Sequence, residues 1–157
     1  MRARAKIGAI VEIPTSKGLA YAQYSHKHDQ WGALLRVLPE LFANRPTNFV
    51  DLAAQKENFV TFFPLEAALR RGILRVVSHQ EVPDHAKQFP LFRAAGFVDR
   101  AGRVHDWYLW DGQKEWKTGS LSAEQLALPI RALWNDTLLI ERIEQGWTPA
   151  SDERSQP

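Results

Sequence analysis

Between Lys6 and Leu38 the spacing of apolar and polar residues predicts three consecutive antiparallel strands. In Ile7–Ile13 (IGAIVEI), Ala9, Val11 and Ile13 share one parity while Gly8, Ile10 and Glu12 share the other, so one face is apolar and the other mixed. Pro14-Thr15-Ser16-Lys17-Gly18 supplies the reversal, because Pro interrupts ladder pairing and Gly18 accepts a positive φ. Leu19–Ser25 is then the return strand. After the polar loop HKHDQ, the apolar run Trp31–Leu38 forms the third strand and stops at Pro39. A meander of this kind opens many small SH3-like barrels.

Beyond a Pro- and Asn-bearing segment, Asn48–Leu52 fits either a short helix or an edge strand, and Glu57–Phe63 (ENFVTFF) has the aromatic and β-branched content of a buried strand. Pro64 begins a compact helix, PLEAALRR, that Gly72 stops; Ile73–His79 resumes as a strand. Whether the two strands flanking this short crossover are neighbours stays open. Glu81–Ala95 reads as irregular, with Phe89, Leu91 and Phe92 free to plug a core edge. Arg103–Trp110 and Gln113–Gly119 predict a hairpin whose Asp111-Gly112 dipeptide suits a type I′ turn. Ser122 caps a short helix ending before Pro129, Ile130–Trp134 reads as a final strand, and Asn135 or Asp136 caps a last helix that Gly146 ends. The expected fold is α+β, mainly antiparallel β with an N-terminal SH3-like meander or barrel and two to three short helices. Its organisation would be a basic lead-in over 1–5, a single domain over 6–147 and a disordered polar tail over 148–157.

Composition changes this picture little. The chain has 157 residues, 45% hydrophobic and 24% charged, enough for a buried core. Its 20 basic and 18 acidic residues leave a formal charge of +2, which is no phosphate-binding stripe. It has no cysteine, so disulfides, thiolate metal sites and cysteine nucleophiles drop out, and cytoplasmic residence is the natural expectation. The basic start lacks a signal-peptide core, and no window approaches the roughly 20 apolar residues of a membrane span.

Few residues suggest chemistry. His26, His28 and Asp29 put three potential ligands in one loop, but no further ligand is tied to them by a known spacing, so a solvated loop is the plainer reading and neither metal nor cofactor is expected. His105-Asp106 could orient a triad, yet no serine stands in a nucleophile elbow. Glu57, Glu66, Glu81 and Asp84 have no spacing that pairs any two of them for acid–base work. The aromatics are more telling. Trp107, Tyr108, Trp110 and Trp116 fall in one hairpin, where Trp107 and Leu109 share one side and Tyr108 and Trp110 the other. Either both faces are covered and the rings are core, or the outward members form a partner-binding patch. On the second reading Trp110 is the anchor, Tyr108 lies beside it, and Asp111 and Lys114 form the polar rim. The interleaved acidic residues argue against nucleic acid as the partner.

The opening IGAIVEIPTSKGLAYAQY, the central FFPLEAALRRGILRVVSHQEVP, the hairpin WYLWDGQKEWKTG and the closing LWNDTLLIERIEQGW together resemble the Immunity protein 26 family of bacterial polymorphic toxin systems. The likeness spans about Lys6–Trp147 and includes the return strand's Gly18, Tyr21, Ala22 and Gln23; Ala9 stands where members often carry an acidic residue. The resemblance implies a small cytoplasmic protein without catalytic activity that neutralises a toxin domain by binding it. The competing classes are an SH3-like adaptor module for another protein or nucleic acid and, more remotely, a small hydrolase using His105 or His79.

Overall fold

The computed structural model describes residues 4–152. They form two compact units, one from the residues up to Gln88 together with Leu133–Gly146, the other from Phe89–Ala132 together with the residues from Trp147 on. Both are built on antiparallel sheets with short helices, the α+β class expected, although the boundary at Gln88/Phe89 divides what the sequence suggested was one domain.

In the first unit the meander forms as β1 (Ala9–Thr15), β2 (Gly18–His28) and β3 (Gly32–Val37). Pro14 does not end β1: it sits in register with Leu19, and Thr15 pairs with Gly18 across a turn at Ser16-Lys17. A side chain at Gly18 would strike the Phe42 carbonyl, because its Cβ would lie 2.9 Å from that oxygen while φ is +132°. The ambiguous segment after the meander is helical, α1 (Val50–Ala54), followed by β4 (Phe59–Phe63), α2 (Leu65–Arg70) and β5 (Arg75–His79). The strand order is β4-β3-β2-β1-β5. The strands flanking α2 therefore lie at opposite ends of an open sheet, and the expected SH3-like barrel does not close. α3 (Asp136–Gln145) has Asn135 accepting from the Leu138 amide at 2.8 Å and ends at Gly146 with φ +67°, as its capping residues predicted.

One face of this sheet is unusually polar for a buried surface. Ile10 and Tyr21 pack there with Leu38, Phe49, Leu52 and Ala53, but Glu12, Gln23 and Arg36 lie on the same face and are also buried. Each has partners. Gln23 Nε2 donates to the Gln80 carbonyl at 2.8 Å, and its Oε1 accepts from Arg36 Nε at 2.8 Å. Arg36 then reaches the carbonyls of Ala53 and Gln55 and the Glu57 carboxylate, the last at 3.1 Å. Two of these acceptors are the open carbonyls at the end of α1, so a guanidinium on β3 substitutes for the missing helix cap. Burial lowers the Arg36 pKa and Glu57 opposes that shift. Nearby, Glu12 takes a two-pronged contact from Arg45, at 2.7 and 3.0 Å, and a hydroxyl hydrogen bond from Tyr21 at 2.8 Å.

The second unit holds β6 (Phe92–Ala95), β7 (Trp107–Trp110) and β8 (Glu115–Gly119) in that order. β6 lies in a stretch read from sequence as irregular. Ile130–Trp134 is not a strand: Ile130 makes a single bridge to Arg93 within the second unit, and Leu133, which belongs to the first unit, makes a single bridge to Phe62 of β4. The helix capped by Ser122 is one 3-10 turn, Gln125–Ala127, with Ser122 accepting from the Gln125 amide at 3.2 Å. The tail expected from 148 to be disordered starts with a formed turn, Pro149–Ser151, and a buried Asp152; its remainder, and the first three residues of the basic lead-in, lie outside the described residues. Among the described residues no helix is long and apolar enough to cross a membrane.

Two outcomes follow from the polar face. Arg36→Met leaves helix carbonyls and Glu57 without their donor, and urea unfolding should show a loss of about 3 kcal/mol or more; a loss near zero would mean that this network does not hold α1. Glu12 is held below its ordinary pKa of 4.5, chiefly by the Arg45 hydrogen bond and against the effect of burial. A lowered carboxylate pKa stabilises the fold above the unfolded value and loses that contribution as pH falls through the folded one. Arg45→Ala should therefore lower the melting temperature at neutral pH, with the gap to wild type shrinking as pH drops below about 4.

Candidate binding surface on the β7–β8 hairpin

The aromatic hairpin forms, but its rings are distributed differently from the sequence expectation. Trp110 is only 5% exposed and is a core residue, not an outward anchor. The reason lies in its neighbours from outside the hairpin. Phe92, its register partner on β6, packs at 5.4 Å between ring centroids, and Phe89 meets it edge-on at 5.7 Å and 87°. The Arg131 guanidinium lies 5.0 Å from the Trp110 ring centre while donating to Glu115 at 2.8 Å. On the alternate positions Trp107 and Leu109 are buried too, with the Arg93 guanidinium 4.6 Å over Trp107. Both faces of β7 are thus covered.

Tyr108, on the parity shared with Trp110, is half-buried. Its ring lies so close to Gly96 that a Cβ there would be 2.9 Å from Cε1, so the glycine is what makes room for it. Asp111 and Lys114 are at the turn, but the turn is not the two-residue type I′ expected. Asp111 has no positive φ and Gly112 alone does, at +100°. The loop is four residues long, and Asp111 Oδ1 organises it by accepting from the amides of Gln113 at 2.9 Å and Lys114 at 2.7 Å. Those two amides hold the Asp111 carboxyl below its ordinary pKa. A side chain on Gly112 would meet the Phe89 ring at 2.9 Å, so the turn is packed against the same cluster that buries Trp110.

Within the hairpin the exposed aromatic is Trp116 on β8, at 43%. β8 is the end strand of its sheet, and Glu115, Trp116 and Lys117 are all exposed along it. Lys117 reaches Asp106 at 3.4 Å and Glu115 reaches Arg131, so ion pairs frame the indole on both sides in sequence. Of the four residues expected to contact a partner, Asp111 and Lys114 remain at an accessible turn, Tyr108 is half-covered and Trp110 is withdrawn. Trp116 replaces it. Position alone could have suggested this, since the later strand of a terminal hairpin is the more exposed edge when nothing downstream pairs with it.

The chain matches no known family model, curated protein or solved structure. His26 faces the Lys87 carbonyl at 2.8 Å and the Ser25 hydroxyl at 3.0 Å, while His28 Nδ1 accepts from the amides of Gln30 and Trp31 at 3.1 and 3.2 Å. Both lie at the end of β2 rather than in a loop; His28 fastens the β2–β3 loop, and His26 ties β2 to the Lys87 segment. Among the described residues no group of three or more His, Asp or Glu side chains is placed to hold a metal ion. His105 pairs at 2.7 Å with Asp99, not with its neighbour Asp106, and this hydrogen bond is the main cause that lowers the Asp99 pKa. Asp99 also accepts from the amides of Ala101 and Arg103, which makes the pair the tie of a surface loop.

The Trp110 assignment has a direct check. Trp110→Ala should cost about 3–5 kcal/mol and lower the melting temperature steeply; a variant that melts like wild type would return Trp110 to the surface.

Proposed function

We propose that this chain is a non-catalytic immunity protein of the cytoplasm that binds a bacterial toxin domain and silences it, with the β7–β8 hairpin as its contact surface. The observation that carries the reading is the exposed Trp116 indole on an end strand, framed by Glu115, Lys117 and the Lys114 turn. An indole held in water is costly to leave bare and gains strongly when a partner covers it, which is why Trp anchors dominate binding energy at protein interfaces. The strand beneath it is rigid because its hairpin partner β7 is buried on both faces, so little order has to be created on binding. The mixed signs around Trp116 suit a protein partner better than a phosphate backbone. The sequence resemblance to Immunity protein 26 supplies the toxin as the class of partner. The alternative of an SH3-like adaptor rested on the N-terminal meander, which forms, but the five-stranded sheet that contains it is open.

The test starts from the neighbouring open reading frames, where this reading expects a toxin domain to be encoded, and uses that domain. Co-expression should restore growth to cells producing that domain, and titration should show direct binding. Trp116→Ala should leave the melting temperature within the small range typical of surface changes, about 0.5 kcal/mol, and weaken the toxin complex by about 2 kcal/mol, near thirtyfold. Protection that persists at full strength in Trp116→Ala would move the surface elsewhere. Failure of the wild-type chain to bind or protect would remove the immunity reading itself.

A further inference from the structure

The five-stranded unit ends on β5, and this strand offers a surface that the hairpin reading does not use. β5 pairs with β1 and stands last in the strand order, so among the described residues no strand pairs with its other edge, which offers backbone N–H and C=O groups. Arg75 and Val76 at its start are exposed, Val76 by 37%. The same two residues line a cleft of about 820 Å3 whose walls include Arg4 and the α2 residues Glu66, Leu69 and Arg70. Among the described residues of its lining, three arginines and one carboxylate leave an excess of positive charge, and that carboxylate already accepts the Ala5 amide at 3.0 Å. A positively charged cleft and an open strand edge share residues 75 and 76.

We propose that β5 and this cleft form a docking site for an extended acidic peptide segment of a partner protein, which adds to the sheet as a further strand and places its carboxylates against Arg4, Arg70 and Arg75. Each half of the surface contributes a different part of recognition. The strand edge supplies backbone hydrogen bonds that tolerate many sequences, and the guanidinium forks select carboxylates and set the direction of the strand. Because side chains alternate along a strand, acidic residues at every second position all point to one side, so one face of the added strand can present its carboxylates to the arginines. A nucleic acid or a simple phosphate would engage the arginines and leave the strand edge unmet. This site belongs to the five-stranded unit and does not rest on the hairpin reading.

The experiment uses the full chain and a short fluorescent peptide alternating Glu and Val, with a Lys–Val peptide and inorganic polyphosphate as comparisons. Anisotropy should show binding of the Glu–Val peptide that weakens as salt rises, and amide exchange followed by mass spectrometry should slow across residues 75–79 when it is bound. The double variant Arg70→Glu/Arg75→Glu should weaken binding by about tenfold or more. Arg4→Glu provides a second reading of the same cleft if the double variant does not fold. Equal binding of the Lys–Val peptide, unchanged binding in the charge-reversed variants, or binding without slowed exchange in β5 would each overturn the proposal. So would polyphosphate that competes fully while exchange in β5 stays unchanged, since the cleft would then be a site for anions alone. Toxin binding through Trp116 should be unaffected by Arg70→Glu/Arg75→Glu, which keeps the fate of the two surfaces separate.

Discussion

A single buried guanidinium organises the five-stranded unit. Arg36 lies on the central part of a sheet face that also buries Ile10 and Tyr21, and it is fully enclosed. A charge in that position is tolerable only because every direction it points in holds an acceptor: Gln23 on β2, the carbonyls of Ala53 in the last turn of α1 and of Gln55 just past it, and Glu57. The requirement runs both ways. α1 is five residues long, too short to be stable by itself, and its carbonyls would face an apolar sheet without a donor. Arg36 thus converts a marginal helix into a fixed cover for the core, and Arg45 fastens the preceding segment to Glu12 in the same manner. Gln23 extends the network to the Gln80 carbonyl just beyond β5, so four separate pieces of chain meet on one polar row. Such a row contributes less to stability than an apolar row of the same volume would, but it admits few alternative packings.

What could be read from the sequence divides by range. The meander, α2 and α3 were legible because their signals are local: parity in β1, Pro64 and Gly72 around α2, Asn135 and Gly146 around α3. The openness of the sheet was not legible, because it depends on β5 pairing with β1 across a long interval, and a parity pattern says which face a strand buries and nothing about which strand it joins. β6 escaped notice for a related reason. Its sequence FRAA places Arg93 at an inward position, and an arginine reads as surface until its acceptors are known; here they are the carbonyls of Leu126, Leu128 and Pro149.

Trp110 illustrates the same limit at the candidate site. Its parity with Tyr108 was correct, yet parity within one hairpin does not reveal Phe89, Phe92 and Arg131, which come from other segments and close the second face. The Asp111-Gly112 signal located the reversal and missed its length, since the Asp111 carboxylate captures two amides and so stabilises a longer loop than a two-residue turn.

The two sheets share a way of treating their edges. One outer strand of each is covered by a single parallel bridge, β4 by Leu133 and β6 by Ile130, while among the described residues β5 and β8 have no partner on their outer edges. Open edges invite indiscriminate pairing, and both carry the features that discourage it. β5 has a register break opposite Ile10/Val11 and begins with Arg75; β8 has a register break opposite Trp107/Tyr108 and carries Glu115 and Lys117. A bulge and a charge do not close an edge to every strand. They close it to flat, uncharged ones and leave it open to a partner whose charges complement those displayed. The charges differ between the two, several arginines beside β5 and mixed signs around Trp116 on β8, so on the two proposals above the edges would accept different partners. Selectivity would then come from the same residues that keep the edges from pairing with themselves.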